Sequence, residues 1–318
     1  MRPIYSGLSN KEQELHEVEV LLATFNGEPF LGEFLDSLSS QVGVKIHLRV
    51  SDDGSTDKTL DIVKLHKHKF ESCTIIDGPG KGPSLNFLFL LSTSSADYLA
   101  FADQDDIWLP EHLVNSISRI DSSSGSPAMT FAQVIEWDES KELCNIWPQS
   151  TPTNSIKMYF AQNFARGCTI VLNRAMAEMV KSSPPHSAIM HDWWVFLIGA
   201  TCGQAIFEPN PEVIYRLHGR NFIGVNKKSS IFRLLTHQRS TKAWRPLAQL
   251  VELKSLHEEK FSAVALLEVN EFIQGFTGNF RERLKYATKV STKLRLGFLD
   301  QVKIRIGIIV FPLFFKES

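Results

Sequence analysis

Three aspartates within four residues are the part of this sequence best suited to chemistry. Asp103, Asp105 and Asp106 directly follow a short apolar run at residues 98–102. Adjacent carboxylates repel one another, so this pattern favours a counter-charge nearby. Mg²⁺ would supply one, because it is typically held by one or two carboxylates while substrate phosphates and waters complete its shell. A metal site that takes a phosphate-bearing substrate is one interpretation. An acidic helix N-terminus, where aspartate meets the positive end of the helix dipole, is the other.

Two further strand candidates end in polar turns and favour the metal interpretation. Residues 45–51 alternate like a strand and lead into Asp52 and Asp53, while residues 18–23 lead into a polar turn at residues 24–28. In open α/β sheets, ligands bind at the carboxyl ends of the strands. Three such strand ends, two of them acidic, therefore predict a single cleft.

The predicted elements that position these residues alternate in the order β-α-β-α-β. Strands are predicted at residues 18–23, 45–51, 73–76 and 98–102, and later at residues 129–136, 169–172, 205–208 and 213–216. Ser55 and Ser84 are expected to cap two of the intervening helices, and Pro110 to start a third. This order predicts an α/β fold in which a parallel sheet carries helices on both faces.

Composition indicates a globular protein of a reduced compartment. The 318 residues, 43% of them hydrophobic, can bury a large core. The four cysteines have no paired spacing, which is typical of a cytosolic protein without structural zinc. No apolar run reaches the roughly 20 residues that a membrane span needs, and the first 17 residues contain no signal core. We therefore expect a cytoplasmic location.

Charge divides the chain into two parts. Residues 225–318 hold 17 Lys and Arg against 8 Asp and Glu, a formal charge of +9, whereas residues 1–224 hold 17 against 27, a charge of −10. The basic part also lacks strand alternation. We predict a catalytic domain at residues 16–225 and a basic, mainly helical extension at residues 226–318. The excess of basic residues either favours an anionic surface or is simply solvated.

Six short motifs lie along the chain at residues 22–28, 51–57, 103–110, 166–169, 191–194 and 215–221. Together and in this order they resemble the family 2 inverting glycosyltransferases, and in particular the bacterial rhamnosyltransferase-type enzymes that build surface polysaccharide. The resemblance covers residues 18–224. It implies the GT-A fold, with a mixed and mostly parallel sheet, a nucleoside-diphosphate sugar as donor, and Mg²⁺ or Mn²⁺ as cofactor.

The resemblance assigns donor-binding roles by position. Thr24, Phe25 and Glu28 would line the pocket of the nucleotide base, with Phe25 offering a ring on which the base stacks. Asp53 would accept a hydrogen bond from the N3–H of uracil or thymine.

It also assigns the metal site and the base. Asp103 and Asp105 match the DxD motif that holds metal and diphosphate, and His218 would complete that site. Asp192 matches the catalytic base. Simpler interpretations exist: Asp192 as the N-cap or a first-turn acid of its helix, and His218 as a loop histidine. Apart from the resemblance, Arg216 and Arg220 either hold the diphosphate or are surface charges.

The chemistry requires such a set of residues. Transfer from a nucleotide sugar leaves negative charge on a diphosphate, which a divalent ion stabilises. The acceptor hydroxyl is a poor nucleophile, so a carboxylate must remove its proton. Asp192 suits this role if Trp193, Trp194 and the following apolar helix desolvate it and raise its pKa. A single carboxylate acting on a single hydroxyl predicts inversion.

Other functions fit the sequence less well. A dehydrogenase needs a glycine fingerprint after the first strand, and a nucleotidyltransferase needs a glycine-rich basic loop there, but residues 23–28 contain only Gly27. A catalytically weak, membrane-associated nucleotide-sugar-binding protein is the remaining alternative. We expect transfer of a rhamnose-like or other hexose from a dTDP- or UDP-sugar to a hydroxyl of a growing, lipid-linked surface glycan, with no nucleic-acid partner.

The end of the chain combines basic and apolar residues. Between residues 289 and 305, five Lys and Arg flank leucines and a phenylalanine, and an apolar stretch at residues 306–315 follows. Such a segment would lie in the headgroup region of an anionic membrane, at the inner face of the cytoplasmic membrane. Packing against the catalytic domain or a dimer contact is the alternative.

Overall fold

A nine-stranded mixed sheet forms the centre of the computed structural model, which describes residues 15–148, 156–219, 245–289, 294–295 and 297–310. The strands are β1 (His16–Thr24), β2 (Val44–Asp52), β3 (Ser72–Asp77), β4 (Tyr98–Asp103), β5 (Ile107–Trp108), β6 (Ala128–Asp138), β7 (Leu143–Trp147), β8 (Val171–Asn173) and β9 (Gln204–Arg216). The helices are α1 (Leu31–Ser39), α2 (Thr59–His66), α3 (Pro83–Thr93), α4 (His112–Asp121), α5 (Ile156–Ala161), α6 (Arg174–Lys181), α7 (His191–Cys202), α8 (Arg245–His257), α9 (Ala263–Thr277), α10 (Phe280–Thr288) and α11 (Phe298–Val310).

The first half of the sheet is parallel, as the sequence predicts. β3, β2, β1 and β4 lie side by side in this order. Thr24 pairs with Asp52, and Ala23 pairs with Asp103. The polar residues that follow these strands therefore meet at one edge of the sheet.

Both faces of this half are covered, which explains its apolar strands. Along β1, Val20 and Leu22 belong to one core cluster and Leu21 to the other. Helix α1 buries Leu31, Phe34, Leu35 and Leu38, whose spacing places them on one side of the helix. Parallel sheets need this double cover because their strands expose apolar side chains on both faces.

The second half of the sheet is mixed. β8 runs antiparallel between β4 and β6, and β9 runs parallel to β6. Two separate strands were predicted where β9 is one 13-residue strand. Its ladder is interrupted between Ala132 and Val134 of β6, where residues 209–212 have no register partner. Pro209 and Pro211 lie there, and a proline has no N–H to donate to a ladder, so the strand bulges rather than ends.

Three predicted helix starts differ from the structure. Ser55 does not cap α2, because its hydroxyl and its N–H both donate to Asp52. α3 begins at Pro83 and not at Ser84, after Gly82 with a positive φ of 85°. After Trp108 the chain stays extended, since the Leu109 N–H donates to the carbonyl of Glu212, and α4 begins only after Pro110.

The described residues from 245 onward are mainly helical and pack onto the hydrophobic core beside the sheet. Leu250, Phe272, Leu294 and Ile308 are buried in the same cluster as Trp194 of α7. The predicted domain boundary at residues 225/226 lies outside the described residues, and the division into two domains stays a prediction. Among the helices that the structure describes, none combines the length and hydropathy of a membrane span.

Candidate active site

A cavity of about 890 Å³ lies at the carboxyl ends of β1, β2 and β4. The N-terminus of α3, residues 162–167, the start of α7 and two residues of the C-terminal extension complete its wall. The predicted site residues on this wall are Thr24, Phe25, Asp53, Asp103, Asp105 and Asp192. This size is within the range of small-molecule sites, so the cleft predicted from three strand ends is present.

Thr24, Phe25 and Asp53 form one end of the cavity. The Thr24 hydroxyl donates to Asp52 at 2.8 Å, which fixes the end of β1 against β2. The backbone of Phe25 is clamped on both sides by the Gln104 amide at 3.0 Å, and 56% of its side chain is exposed. An exposed ring on a fixed backbone offers a stacking face for a flat ligand.

Asp53 holds a loop as well as facing the cavity. Its two carboxylate oxygens accept the N–H groups of Gly80 and Gly82, each at 3.0 Å. A Cβ on Gly78 would lie 2.3 Å from Asp53 Oδ1, so this close approach requires glycine. Each carboxylate oxygen has a second lone pair, and Asp53 can therefore still accept a hydrogen bond from a base.

The acidic turn concentrates negative charge. Burial raises the pKa of Asp103 to about 8, with further contributions from the charges of Asp105 and Asp192, while Arg166 acts in the opposite direction. Asp106 is 1% exposed, accepts the backbone N–H of Arg216 at 3.3 Å, and does not line the cavity. Two of the three aspartates thus face the cavity, and the third supports the turn.

Asp105 contacts the predicted third metal ligand. His218 Nε2 lies 2.8 Å from Asp105 Oδ2, and its ring stacks on Phe30 with centroids 4.4 Å apart. Two carboxylates and an imidazole are suitable ligands for Mn²⁺ or Mg²⁺, and a dication would neutralise the excess charge that raises the pKa of Asp103. These residues therefore fit a divalent ion, although His218 is not on the described cavity wall.

A second ligand-like cluster fits a hard metal less well. Single ligand atoms of Asp103, Asp106 and Cys168 lie within 4.8 Å of one another. Burial and the charge of Asp106 raise the pKa of the Cys168 thiol well above its ordinary value, so the thiol keeps its proton. A protonated thiol is a poor ligand for Mg²⁺ or Mn²⁺, and we retain Asp103 and Asp105 as the candidate pair.

Glu28 and Arg216 do not line the described cavity wall, and their predicted contacts with the donor stay predictions. The Glu28 carboxylate accepts the N–H of Lys58 and lies 3.6 Å from its ammonium. Arg216 is 5% exposed, forms an ion pair with Glu33, and donates to the carbonyl of Asp105 at 3.2 Å. These contacts show that Arg216 supports the acidic turn.

Asp192 lies in the first turn of α7 and is 7% exposed. Burial raises its pKa to about 6, although the Trp193 N–H, the charge of Arg166 and the Asn163 side chain lower it. Met190 and not Asp192 occupies the N-cap. A carboxylate with this pKa is ionised at neutral pH and is more basic than an exposed aspartate, as a general base requires.

Arg166 is a candidate functional residue to which the sequence analysis assigned no role. Its guanidinium lies between the rings of Trp147 and Tyr215, 4.3 and 4.4 Å from their centroids, and pairs with Glu136. All four residues line the cavity. Arg166 belongs to the motif at residues 166–169. Nothing in the sequence showed that side chains from β6, β7 and β9 would enclose its guanidinium.

His191 is a second residue whose environment was not predictable. It is 3% exposed and stacks on Phe87 with centroids 4.1 Å apart. Burial lowers its pKa to about 3, so the ring is neutral at physiological pH. Neither ring nitrogen has a hydrogen-bond partner in the described part of the chain, and the residue lines the cavity beside Asp192.

A mixed sheet whose strand ends bring aspartates of one acidic turn to a cavity is the arrangement that the GT-A fold predicts. The chain belongs to glycosyl transferase family 2, whose family model matches residues 19–178, just over half of its length. It is 29% identical over 220 residues to the dTDP-rhamnosyl transferase RfbG of Shigella flexneri, covering 64% of this chain and 74% of that protein.

Solved structures share the fold at low sequence identity. TarS from S. aureus in complex with UDP-GlcNAc has a TM-score of 0.55 and 15% identity, covering 92% of this chain and 80% of that one. The mannosyltransferase PcManGT from Pyrobaculum calidifontis, in complex with GDP-Man and Mn²⁺, has a TM-score of 0.54 and 14% identity, covering 95% and 87%. These structures confirm the predicted fold, and the family model and the match to RfbG confirm the predicted enzyme class.

Proposed function

We propose that this glycosyltransferase moves a hexose, rhamnose or a related sugar, from a nucleoside-diphosphate donor to a hydroxyl of a growing surface glycan, with inversion. The observation that carries the proposal is the convergence of Asp103, Asp105 and Asp192 on one cavity. A charge-stabilising pair and a buried base are the two functions that this reaction needs.

Asp103, Asp105 and His218 are the proposed ligands of Mg²⁺ or Mn²⁺. When bound, the ion would stabilise the charge that develops on the diphosphate leaving group. The Mn²⁺ bound with GDP-Man in the PcManGT structure supports this cofactor for the fold. Asp106 and Arg216 hold the turn that orients the two carboxylates.

Thr24, Phe25 and Asp53 are the proposed base-binding residues. The exposed Phe25 ring would stack on the base, and Asp53 would accept the N3–H of thymine or uracil. Cytosine lacks this donor, and an unpaired buried acceptor costs about 1–3 kcal/mol. The dTDP-rhamnosyl transferase RfbG supports a thymidine nucleotide, and the UDP-GlcNAc bound to TarS supports uridine as the second candidate.

Asp192 is the proposed general base. Its carboxylate would remove the proton from the acceptor hydroxyl as that oxygen attacks the anomeric carbon from the face opposite the diphosphate. The charge of Arg166 keeps the pKa of Asp192 from rising further. Trp193 and Trp194, which follow Asp192 in α7, are both buried, and burial of this part of the helix is proposed to desolvate the carboxylate.

A lipid-linked acceptor and peripheral contact with the inner face of the cytoplasmic membrane are also proposed. Four apolar residues on α11 are exposed: Phe298, Leu299, Val302 and Ile306. A helix with such a face beside basic residues suits the headgroup region of an anionic leaflet. The predicted apolar residues 311–315 lie outside the described part of the chain.

The experiment that tests the proposed function is a donor panel. The protein would be incubated with dTDP-, UDP-, GDP- and CDP-sugars with Mn²⁺, with Mg²⁺ and with EDTA, and release of nucleoside diphosphate would be measured. We expect metal-dependent release from a dTDP- or UDP-sugar and little release from CDP-sugars. Absence of release from every donor, with and without a lipid-linked glycan acceptor, would overturn the proposal.

A further inference from the structure

Arg295, in the C-terminal extension, lines the catalytic cavity together with Asp300. Its backbone is held firmly, because the N–H groups of Leu294 and Arg295 both donate to Gln301 Oε1 at 2.8 Å. Leu294 is 1% exposed and belongs to the main core. The extension therefore supplies a positioned cation to a cavity whose other walls come from the sheet and its helices.

This cation has no direct partner among the described residues. The Arg295 side chain makes no hydrogen bond and no ion pair within 4.0 Å in the described part of the chain. Burial lowers its pKa, and Asp300 is the carboxylate whose charge counteracts this. The Asp300 carboxylate is itself paired with Lys303 at 3.1 Å. A partly buried guanidinium without an anion is unfavourable, so a ligand anion would stabilise it.

Arg295 reaches the cavity wall from the C-terminal extension, whereas the proposed metal ligands Asp103 and Asp105 lie at the end of β4 and in the turn after it. The same cavity presents the N-terminus of the 11-residue helix α3 through Gly82 and Pro83, but the Gly82 N–H already donates to Asp53 at 3.0 Å. Of the two arginines on the described wall, Arg166 pairs with Glu136, and Arg295 is the one without a carboxylate within 4.0 Å among the described residues.

We propose that Arg295 forms a phosphate subsite that binds the diphosphate of a lipid-linked acceptor. The fork of a guanidinium matches phosphate oxygens in a bidentate manner. The exposed apolar face of α11 begins three residues farther on, at Phe298, which is 80% exposed. A polyprenyl diphosphate carries its negative charge next to an apolar chain. Arg295 would bind the diphosphate, and the neighbouring apolar face of α11 would contact the chain. The inference rests on the proposed function for the identity of the acceptor.

The test measures binding without transfer. Farnesyl diphosphate, farnesol, UDP and dTDP would be titrated calorimetrically into the full chain and its variants Arg295→Gln, Arg295→Lys and Lys285→Gln. Lys285 is an exposed cation on α10 and controls for the loss of one charge. We expect Arg295→Gln to weaken farnesyl diphosphate binding about 10-fold or more, with Arg295→Lys intermediate, and farnesol, UDP and dTDP affinities within about twofold of wild type.

The outcomes separate the two sources of phosphate. Weaker UDP and dTDP binding in Arg295→Gln, with farnesyl diphosphate unaffected, would keep the phosphate subsite but assign it to the donor. Unchanged affinity for every probe in a folded Arg295→Gln, or equal losses in Lys285→Gln, would overturn the subsite. If Arg295→Gln does not fold, Arg295→Lys decides by the same criteria. If farnesyl diphosphate binding depends on Arg295 but the protein transfers no sugar, the subsite stands and the proposed function is wrong.

Discussion

The pKa of the Asp192 carboxyl lies closer to neutral pH than that of an ordinary aspartate. Burial raises its pKa to about 6, and the charge of Arg166 limits the rise. His191, next to it, has a pKa of about 3 because of burial and therefore stays neutral over the range in which Asp192 titrates. A base must be deprotonated to act, so we expect turnover to rise with pH through about 6, with His191 contributing nothing to this limb.

The raised pKa of Asp192 also predicts a stability effect. A carboxyl whose pKa is higher in the folded state stabilises the fold at low pH, and this contribution is lost as pH rises through the folded value. Asp192→Asn removes the buried charge, so it should stabilise the protein at pH 7.5 by about 2–3 kcal/mol and by much less at pH 4.5. Urea unfolding at the two pH values measures this.

A second aspartate serves as the control for that effect. Although burial acts to raise the pKa of Asp57, hydrogen bonds from Thr59 and the Glu28 N–H lower it below its ordinary value. The linkage then has the opposite sign, and Asp57→Asn should lose stability at pH 7.5. A decrease in stability for Asp192→Asn at pH 7.5 would show that its carboxylate is not desolvated as the structure implies.

Asp105 is the residue for testing the metal site. Asp105→Ala removes the carboxylate that contacts His218 and should abolish metal-dependent binding of UDP or dTDP while the melting temperature stays within a few degrees. Calorimetry with Mn²⁺ and with EDTA measures the difference. Asp61→Ala is the matched control, because Asp61 is an exposed acid on α2 that lies off the described cavity wall, and its loss should leave affinity within about twofold. Wild-type affinity in Asp105→Ala with Mn²⁺ would exclude the metal assignment.

At the scale of elements, the parallel strands were predictable and the mixed half was less so. β1, β2 and β4 alternate or run apolar between clear turns, and parallel pairing brings their polar ends together without further information. β9 was predicted as two strands because Pro209 and Pro211 resemble a break, and only its pairing with β6 shows a bulge.

Site residues on regular elements were likewise easier to predict than those whose position depends on contacts between distant parts of the chain. Asp103 ends β4, and the cleft at the strand ends was predicted from the sequence pattern, whereas only the family resemblance assigned Asp192 to the same site. The sequence gives no information about which way the Arg216 guanidinium turns, and in the structure it pairs with Glu33. Arg295 was considered only as part of a basic tail, since no local pattern shows that a C-terminal segment returns to the cavity.

The loop after β3 offers a test at this scale. Gly78→Ala would place a Cβ 2.3 Å from Asp53 Oδ1 and 2.9 Å from the carbonyl of Asp52, so the loop must shift. We expect a loss of about 1–3 kcal/mol in stability and about 10-fold weaker nucleotide binding, measured by urea unfolding and calorimetry. Gly32→Ala, in α1 with nothing within 4 Å of the new Cβ, should be neutral or stabilising. Equal effects of the two variants would contradict the role of this loop.

At the scale of the whole molecule, the C-terminal extension has one buried and one exposed side. Leu294 and Ile308 are in the core, whereas Phe298 and Leu299 are 80% and 68% exposed. From the sequence, packing against the domain and contact with a membrane were alternatives. In the structure the buried side of α11 packs against the core, and its exposed side is available for membrane contact. We interpret the extension as a part of the site wall whose outer face is free to meet an apolar partner.

Membrane contact is tested on that outer face. Vesicles containing anionic lipid should sediment the wild-type protein, and the double variant Phe298→Ser, Leu299→Ser should remain in the supernatant, because the loss of two large side chains removes most of the exposed apolar area. Leu65→Ser is the control, as Leu65 is 69% exposed on α2. Equal sedimentation of all three proteins, or of none, would contradict the membrane proposal.

The most direct test of the central claim is the turnover of Asp192→Asn at saturating donor and acceptor. General-base assistance contributes roughly 10²–10⁴-fold to rate, and the substitution leaves the metal ligands and the base-binding end of the cavity intact. We therefore predict a loss of turnover of that size, with donor affinity within about twofold of wild type. Turnover close to that of the wild-type enzyme would contradict the assignment of Asp192 as the residue that activates the acceptor.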